Sequence, residues 1–256
     1  MRRPLATLVC LLALASACNG GSSAVGRCAA TGEPRLVSED RLVAAVDLAY
    51  PPFSLPGADG PAGFDVDLLR EVAKRIGREA RFVRQTFAGL VVGLRAQRFD
   101  VAASGLGLDP ELEAQACATS PYLSAGLGIV AAGELAGLGD ARVAVQADTT
   151  AAEWARDELA SSRIQTHATV TDPFVALRDG HADAAVAALP VALHQVHKTE
   201  AFRLLEETGP ATDYVFAVDE GNGALAGAID QVLQVMREDG TYGRIYERWF
   251  GRLPPG

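Results

Sequence analysis

Glycine and hydroxyl side chains placed directly after apolar runs are the residues of this sequence best suited to hold a small ligand. The run from Asp100 to Ser104 is short and apolar, as in a strand buried on both faces of a sheet, and Gly105 and Gly107 follow it. Glycine lets main-chain N–H groups approach a bound molecule, and ligands of open α/β sheets lie beyond the carboxyl ends of strands. The alternative to a ligand-binding turn is a plain turn between a strand and a helix. Taken alone, this stretch favours the plain turn.

Catalytic and metal-binding patterns are weak in comparison. His194 and His197 stand three residues apart on a predicted helix, but no third ligand lies nearby, so a solvated helix face is the favoured interpretation. No Ser-His-Asp signature, phosphate-binding loop or nucleophile elbow stands out in the sequence. We therefore predict no catalytic residue, no metal and no cofactor.

Composition and charge exclude several classes of protein. The chain has 256 residues, of which 49% are hydrophobic, enough for one large domain or for two lobes with their own cores. Its formal net charge is −9, and the sequence has no cluster of Lys and Arg that would follow a phosphate backbone. Nucleic acid is therefore not an expected partner.

The first 17 residues have the pattern of an export signal. Arg2 and Arg3 precede an apolar run from Leu5 to Ala15, which is too short to span a bilayer comfortably. Ala15 to Cys18 resembles a bacterial lipobox, in which the cysteine carries the lipid. The sequence thus predicts an exported protein, anchored through Cys18 to the outer face of the cytoplasmic membrane, with a flexible tether up to residue 37.

Two of the four cysteines have no role in this reading of the amino terminus. Cys10 lies in the signal and Cys18 takes the lipid, so Cys28 and Cys117 remain. An exported compartment permits a disulfide between them. Two separate thiols are the alternative, because the sequence alone carries no geometry.

Strand and helix patterns alternate along the chain, which indicates a mainly parallel sheet with helices on its faces. One helix, for example, places Leu69, Val72 and Ile76 on a single face and ends at Gly77. The predicted strands are Leu42 to Asp47, Arg81 to Arg84, Asp100 to Ser104, Leu127 to Ala131, Arg142 to Gln146, Ile164 to His167, Asp183 to Ala187 and Tyr214 to Val218.

An ordered set of short motifs resembles a known family. The segments DLAYPPF, GFDVD, FAGL, RFDVAASGL, SPY, VQADTT, DGHADAAVA and DGTYGRIYERWFG occur in the order found in extracytoplasmic solute-binding proteins, family 3, of polar amino-acid ABC importers. The match covers about residues 40 to 251. It implies an α/β fold of the periplasmic-binding-protein-like type II, with two lobes joined by two crossover strands near Ser120 to Gly126 and Tyr214 to Val218. Lobe 1 would comprise residues 38–124 and 215–256, and lobe 2 residues 125–214.

The resemblance also implies where a ligand would bind. Asp47 and Tyr50 match an acid and an aromatic residue of the family's first loop, and Phe53 would add a second apolar wall. The turn after the third strand of lobe 1 and the VQADTT turn of lobe 2 would face each other across the ligand. The expected ligand-binding residues are Asp47, Tyr50, Phe53, Ser104, Gly105, Gly107, Asp148, Thr149 and Thr150.

Four positions depart from the family pattern in a way that affects the choice of ligand. Gly107 and Leu112 stand where the family has a hydroxyl residue and the Arg that grips the α-carboxylate, and Ala188 stands where an acid receives the α-ammonium. Asp148 replaces a glycine. A buried carboxylate without a cation is costly, so we predict a cationic or amine ligand rather than an ordinary α-amino acid. The alternative is that Asp148 and Asp109 cap their own helices, and for these two acids the position before a first turn favours that role.

The predicted function is capture of a small polar solute between two lobes by a monomeric lipoprotein that docks on the permease subunits of an ABC importer, without catalysis. Closure would bury the ligand and shift an existing population of open and closed forms. The alternatives are an enzyme similar to cyclohexadienyl dehydratases on the same fold, and a ligand sensor or adaptor without a role in transport.

Overall fold

The computed structural model describes residue 28, residues 32–135 and residues 137–255. The predicted signal peptide, Cys18 and the first part of the predicted tether lie outside these residues. The end of the tether is held on the folded body, because Arg35 exchanges main-chain hydrogen bonds with the Asn222 side chain and the Val37 N–H donates to Asp100. In the described ranges no helix combines the length and apolar character needed to cross a membrane.

The described chain forms eleven strands and eight helices. The strands are β1 (Arg41–Val46), β2 (Leu55–Gly57), β3 (Gly60–Ala62), β4 (Glu79–Arg84), β5 (Val101–Gly107), β6 (Cys117–Ala118), β7 (Leu123–Ala131), β8 (Arg142–Gln146), β9 (Arg163–His167), β10 (Ala184–Ala188) and β11 (Arg203–Val218). The helices are α1 (Phe64–Arg75), α2 (Phe87–Arg95), α3 (Pro110–Gln115), α4 (Thr150–Glu158), α5 (Asp172–Arg178), α6 (Leu189–Lys198), α7 (Gly223–Glu238) and α8 (Thr241–Phe250).

One sheet runs through the whole body in the order β4-β1-β5-β11-β7-β10-β8-β9, with β6 also paired to β11. β1 is parallel to β4 and β5 in lobe 1, and β8 is parallel to β9 and β10 in lobe 2. The long strands β7 and β11 between them are antiparallel to each other and to their neighbours. The predicted α/β fold with two crossover strands is confirmed, whereas the lobe boundaries near residues 124 and 214 stay a prediction.

Helices cover both faces of each half of the sheet because each presents an apolar stripe. In α1 the buried residues Leu68, Leu69, Val72 and Ala73 recur at helical spacing, and the helix ends just before Gly77, which has a φ of 71°. In lobe 1, α1, α7 and α8 pack on one face and α2 on the other. Burial of each large side chain contributes about 1.5–3 kcal/mol, so these layers stabilise the sheet that carries the cleft.

The second crossover strand is much longer than the sequence pattern indicated. The predicted strand from Tyr214 to Val218 is only the buried end of β11, which begins at Arg203. The earlier part is mostly exposed and contains Gly209 and Pro210, and its pairing with β7 shifts register between Thr208 and Thr212. Exposed polar residues and a bulge hide a strand from pattern analysis, since neither gives the expected alternation.

A disulfide joins Cys28 to Cys117, with an S–S distance of 2.06 Å and a Cα–Cα distance of 5.5 Å. Of the two alternatives for this pair, the structure has the bridge. The bridge links Cys28, which lies before β1, to strand β6 in lobe 1.

Candidate functional site

A cleft of about 370 Å³ lies where residues of both lobes and of both crossover strands meet. Lobe 1 and the crossover strands contribute Tyr50, Phe87, Gly105, Gly107, Asp109, Leu127, Thr212 and Tyr214. Lobe 2 contributes Gln146, Asp148, Thr149, Thr150, Ala151, Val170, Pro173, Val186, Ala187, Ala188 and Val191. The volume and the mix of apolar walls with a few polar groups are typical of a site for a small molecule.

The turn predicted at Gly105 and Gly107 is an irregular part of β5, where the pairing with β11 shifts register, and this glycine turn comes close to aromatic rings. Gly105 has a φ of 61°, and a Cβ atom there would lie 2.7 Å from Phe53 and 2.9 Å from Tyr50. At Gly107, a Cβ atom would lie 3.1 Å from the Thr212 methyl group on β11. Gly105 is therefore required both by its backbone conformation and by the space around it.

Tyr50 and Tyr214 form the floor of the cleft on the side of lobe 1, and the Phe53 ring lies behind them. Phe53 stacks on Tyr50 with a centroid distance of 5.5 Å and on Tyr214 with a centroid distance of 4.9 Å. Burial, and then the nearby Asp65 carboxyl, raises the pKa of Tyr50 to about 12. Burial also raises the pKa of Tyr214. Both phenols stay neutral at physiological pH, so their hydroxyl groups remain able to donate a hydrogen bond.

Three of the nine predicted ligand-binding residues lie behind the wall rather than on it. Phe53 is fully buried between the two tyrosines. Asp47 accepts the N–H groups of Ala49 and Phe87, at 3.1 and 2.9 Å, and so holds the start of α2. Ser104 is also fully buried, and its Oγ accepts the Asp47 N–H at 2.7 Å. The structure thus gives Asp47, Phe53 and Ser104 a supporting position.

The other six predicted residues line the cleft, with the lobe 2 group at the start of α4. Thr149 is the N-cap of α4, where its Oγ1 accepts the Ala152 N–H at 3.3 Å and donates to the Gln146 carbonyl at 2.8 Å. Asp148 precedes this cap, is exposed and has a φ of 55°. The alternative of helix capping therefore applies differently to the two acids: Asp109 caps α3 through Leu112 N–H at 2.7 Å, and Asp148 caps no helix.

The positions that lack the family's charged contacts are occupied by packed apolar groups. Leu112 is buried against Leu90, Leu94 and other residues of an apolar cluster in lobe 1 and does not reach the cleft. Ala188 lines the cleft at the start of α6. The described lining includes Asp109 and Asp148 but no Lys, Arg or His. The lining therefore has a formal charge of −2, that of its two acids.

Several lining residues were not found by the sequence analysis. Phe87 is 54% exposed at the start of α2, although it belongs to the FAGL motif that was used for the resemblance. Thr212 lies in the polar part of β11, which the sequence did not predict as a strand, and Gln146 ends β8 as the second residue of the VQADTT motif. Val170 and Pro173 come from the turn before α5 and from its first residues. The place of Phe87 in the FAGL motif was the signal that the sequence offered for it.

The prediction that His194 and His197 lie on a solvated helix face is wrong for His194. Its side chain is 5% exposed because α6 packs against α8, and Nδ1 lies 3.0 Å from the Trp249 carbonyl oxygen. Across residues 32–135 and 137–255 together with Cys28, no group of three or more His, Cys, Asp or Glu side chains is arranged to hold a metal ion.

Comparison with known proteins gives a consistent family. Residues 42–252 match the model of bacterial extracellular solute-binding proteins, family 3. A probable amino-acid ABC transporter-binding protein of Haemophilus influenzae is 27% identical over 224 residues, covering 85% of this chain and 87% of that protein. ABC transporter arginine-binding protein 1 of Escherichia coli is 26% identical over 221 residues, covering 80% of this chain and 88% of that protein.

A solved structure of an ancestral cationic amino acid solute binding protein superposes with a TM-score of 0.76 at 31% identity, covering 82% of this chain and 95% of that chain. These similar proteins are named as binding proteins rather than as enzymes. Both the sequence match and the two-lobe architecture lead to the same assignment. The chain belongs to the bacterial extracellular solute-binding proteins, family 3.

Proposed function

We propose that this chain is the extracytoplasmic substrate-binding lipoprotein of an ABC importer and that it captures a small cationic or amine-bearing solute rather than an ordinary α-amino acid. The observation that carries the proposal is the charge of the cleft. Its described lining presents one acid from each side, Asp109 and Asp148, and no basic side chain.

A free carboxylate would be poorly accommodated in this cleft. Burying an anion is costly unless a cation or several hydrogen-bond donors replace the lost water. The start of α4 offers main-chain N–H groups and a positive helix end, but Asp148 lies directly before it and offsets that charge. The apolar packing of Leu112 leaves no basic group in place of the family's carboxylate clamp.

A cation would be held by charge and by aromatic faces together. Asp109 and Asp148 supply negative charge, and Tyr50 lies at the wall with a neutral phenol, so cation–π contact is available. The similar proteins named for arginine or for cationic amino acids support a positively charged ligand. What differs here is the recognition of the α-amino-acid part, and not the preference for positive charge.

Isothermal titration calorimetry with pairs of ligands that differ only in the carboxylate tests this proposal. Agmatine is L-arginine without its carboxylate, and cadaverine is L-lysine without its carboxylate. We expect the purified protein to bind at least one decarboxylated ligand at least about tenfold more tightly than its amino acid, a difference of about 1.4 kcal/mol. Binding restricted to the amino-acid partner of each pair would refute the proposed preference for a ligand without an α-carboxylate.

Transport, anchoring and absence of catalysis are separate parts of the proposal. We expect the Cys18→Ala variant to leave the membrane fraction while keeping its affinity for the same probe, because the lipid and the cleft are independent. An adjacent permease and ATPase in the genome would favour import, whereas a kinase neighbour would favour a sensor. Unchanged recovery of the bound probe after long incubation distinguishes capture from a dehydratase-like reaction.

A further inference from the structure

Asp65 is a buried carboxyl group that the proposed capture of a ligand does not yet use. It lies in the first turn of α1 and is completely buried. Oδ2 accepts the N–H groups of Ser104 and Gly105, at 2.9 and 2.8 Å, and Oδ1 accepts the Tyr122 O–H at 2.6 Å. The carboxyl group thus bonds two other segments of the chain.

The segment held by Oδ2 has an unusual backbone conformation. Ser104 has a φ of 140° and Gly105 a φ of 61°, so a residue with a side chain occupies a region that normally favours glycine. Two successive N–H groups of this turn point toward the same oxygen, and without it both would be buried and unpaired. Gly105 lines the cleft, so the orientation of this turn decides the shape of the wall.

The segment bonded to Oδ1 begins the first crossover strand. Tyr122 directly precedes β7, and its N–H donates to the carbonyl of Tyr214, a residue of the cleft wall, at 2.9 Å. The Tyr122 carbonyl accepts Tyr242 O–H at 2.8 Å and an Arg237 N–H at 3.0 Å. One carboxyl group therefore connects the wall of lobe 1 to the strand about which the lobes are joined.

We propose that Asp65 is a positioning residue that holds the Ser104–Gly105 turn in its ligand-facing conformation and ties that turn to the start of the first crossover strand. It does not touch the ligand, and the proposal does not depend on which solute the cleft takes. Ser104 supports the same arrangement from the other side, since its Oγ accepts the Asp47 N–H and lies 2.7 Å from the Ser54 hydroxyl.

Asp100 provides a matched control in the same lobe. It is also buried and accepts two main-chain N–H groups, those of Val37 and Val43, both at 2.7 Å, but it does not line the cleft. Asp65→Ala and Asp100→Ala therefore each remove a buried carboxyl group with main-chain partners. Only the first removes support from the wall.

Amide hydrogen exchange measured by NMR on the ligand-free protein tests the proposal. In Asp65→Ala we expect the Ser104 and Gly105 amides to exchange at least about tenfold faster, while Asp100→Ala leaves them within about threefold of the wild type. Asp65→Asn should restore protection, because its amide oxygen can accept both N–H groups and its NH₂ group can donate to Tyr122. Equal protection in wild type and Asp65→Ala would overturn the proposal.

Tyr122→Phe keeps the test decisive if Asp65→Ala does not fold. It deletes only the hydrogen bond to Oδ1, so exchange should rise at the start of β7 and stay low at Ser104 and Gly105. Unchanged exchange at both segments would show that the Asp65–Tyr122 hydrogen bond does not stabilise the start of β7. That result would overturn the proposed link to the crossover strand.

Discussion

The two walls of the cleft differ in how firmly the chain holds them. The wall of lobe 1 rests on fully buried groups, with Phe53 behind the tyrosines and Asp65 behind the glycine turn. In lobe 2 the polar residues at the start of α4 rest on the Thr149 cap and both neighbours of that residue are exposed, whereas Val186, Ala187 and Val191 of the same wall are buried.

This difference suggests a division of roles during capture. A wall that is already formed loses little conformational freedom when a ligand arrives, so lobe 1 is suited to bind first. Asp148 and Thr150 are exposed and can change at small cost to the fold, so the start of α4 is suited to set ligand preference. Asp148, which the resemblance matches to a glycine of the family, lies in the exposed part of the lobe 2 wall.

Phe53→Ala should lose more unfolding free energy than the other variants of the cleft walls. It shows how far the wall of lobe 1 depends on the buried ring behind it. Removing a fully buried ring costs about 3–5 kcal/mol in unfolding free energy. The affinity for agmatine should also fall, because Tyr50 and Tyr214 both stack on this ring. Urea denaturation and calorimetry measure the two effects.

Phe99→Ala is the control for that variant. Phe99 is buried in lobe 1 but packs under α2 at Gly93, and it does not line or support the aromatic floor. A similar loss of stability with unchanged affinity is expected. Equal losses of affinity in both variants would mean that general weakening of lobe 1, rather than loss of the stacked floor, controls binding.

Asp65→Asn should change how stability depends on pH. Burial raises the pKa of Asp65 from 3.8 to about 7, although the hydrogen bonds from Tyr122, Gly105 and Ser104 oppose the shift. Between about pH 4 and pH 7 the folded protein then holds a proton that the unfolded chain has released, so this group makes the unfolding free energy fall as pH rises. The asparagine side chain of the variant cannot titrate, and the neighbouring phenols of Tyr50, Tyr214 and Tyr242 stay protonated in this range.

The measurement is the difference in unfolding free energy between Asp65→Asn and wild type at pH 4.5, 6 and 8. It should move in favour of the variant as pH rises, by an amount on the order of 3 kcal/mol. The subtraction removes contributions from other groups such as His194. A difference that stays constant over this range would show that the carboxyl group is already ionised in the folded protein at pH 4.5.

Much of the fold could be predicted from the sequence because each element carries its own local pattern. The strand from Arg142 to Gln146 has the bounds that were expected, and α1 ends before Gly77 as its spacing indicated. The first half of β11 could not be predicted, since its residues are exposed and its pairing with β7 is interrupted by a bulge. A strand that is held by its pairing with a neighbour, and not by burial of one face, shows no alternation of apolar and polar residues.

The candidate site was less predictable because motif position does not specify side-chain direction. Asp47 and Ser104 belong to segments that reach the cleft, yet both side chains turn back to bond main-chain or hydroxyl groups behind it. Tyr214 was predicted as part of a strand and not as a wall residue. Packing between distant segments, here Phe53 against both tyrosines, determines which groups face the ligand.

Asp148→Asn tests whether a charge in lobe 2 contributes to the ligand preference. It removes the charge but keeps a side chain that tolerates the φ of 55°. We expect agmatine affinity to fall about tenfold, near 1.4 kcal/mol, with little change in unfolding free energy. Asp148→Gly should lower affinity similarly and raise stability slightly, because glycine adopts this conformation freely. Unchanged affinity in both variants would exclude Asp148 from recognition.

Among the variants that remove support from a wall, Thr149→Ala should lose the least unfolding free energy. It tests the cap that holds the start of α4. It deletes the side-chain cap of α4 and the hydrogen bond to the Gln146 carbonyl, which should cost about 1 kcal/mol in unfolding free energy. Thr149→Ser keeps the hydroxyl group and serves as the control, with stability close to wild type. Because Thr149 accepts the N–H groups of Ala152 and Glu153, exchange should rise at these two amides and stay unchanged at Ser104 and Gly105. A loss well above about 2 kcal/mol would mean that the start of α4 is held as firmly as the wall of lobe 1.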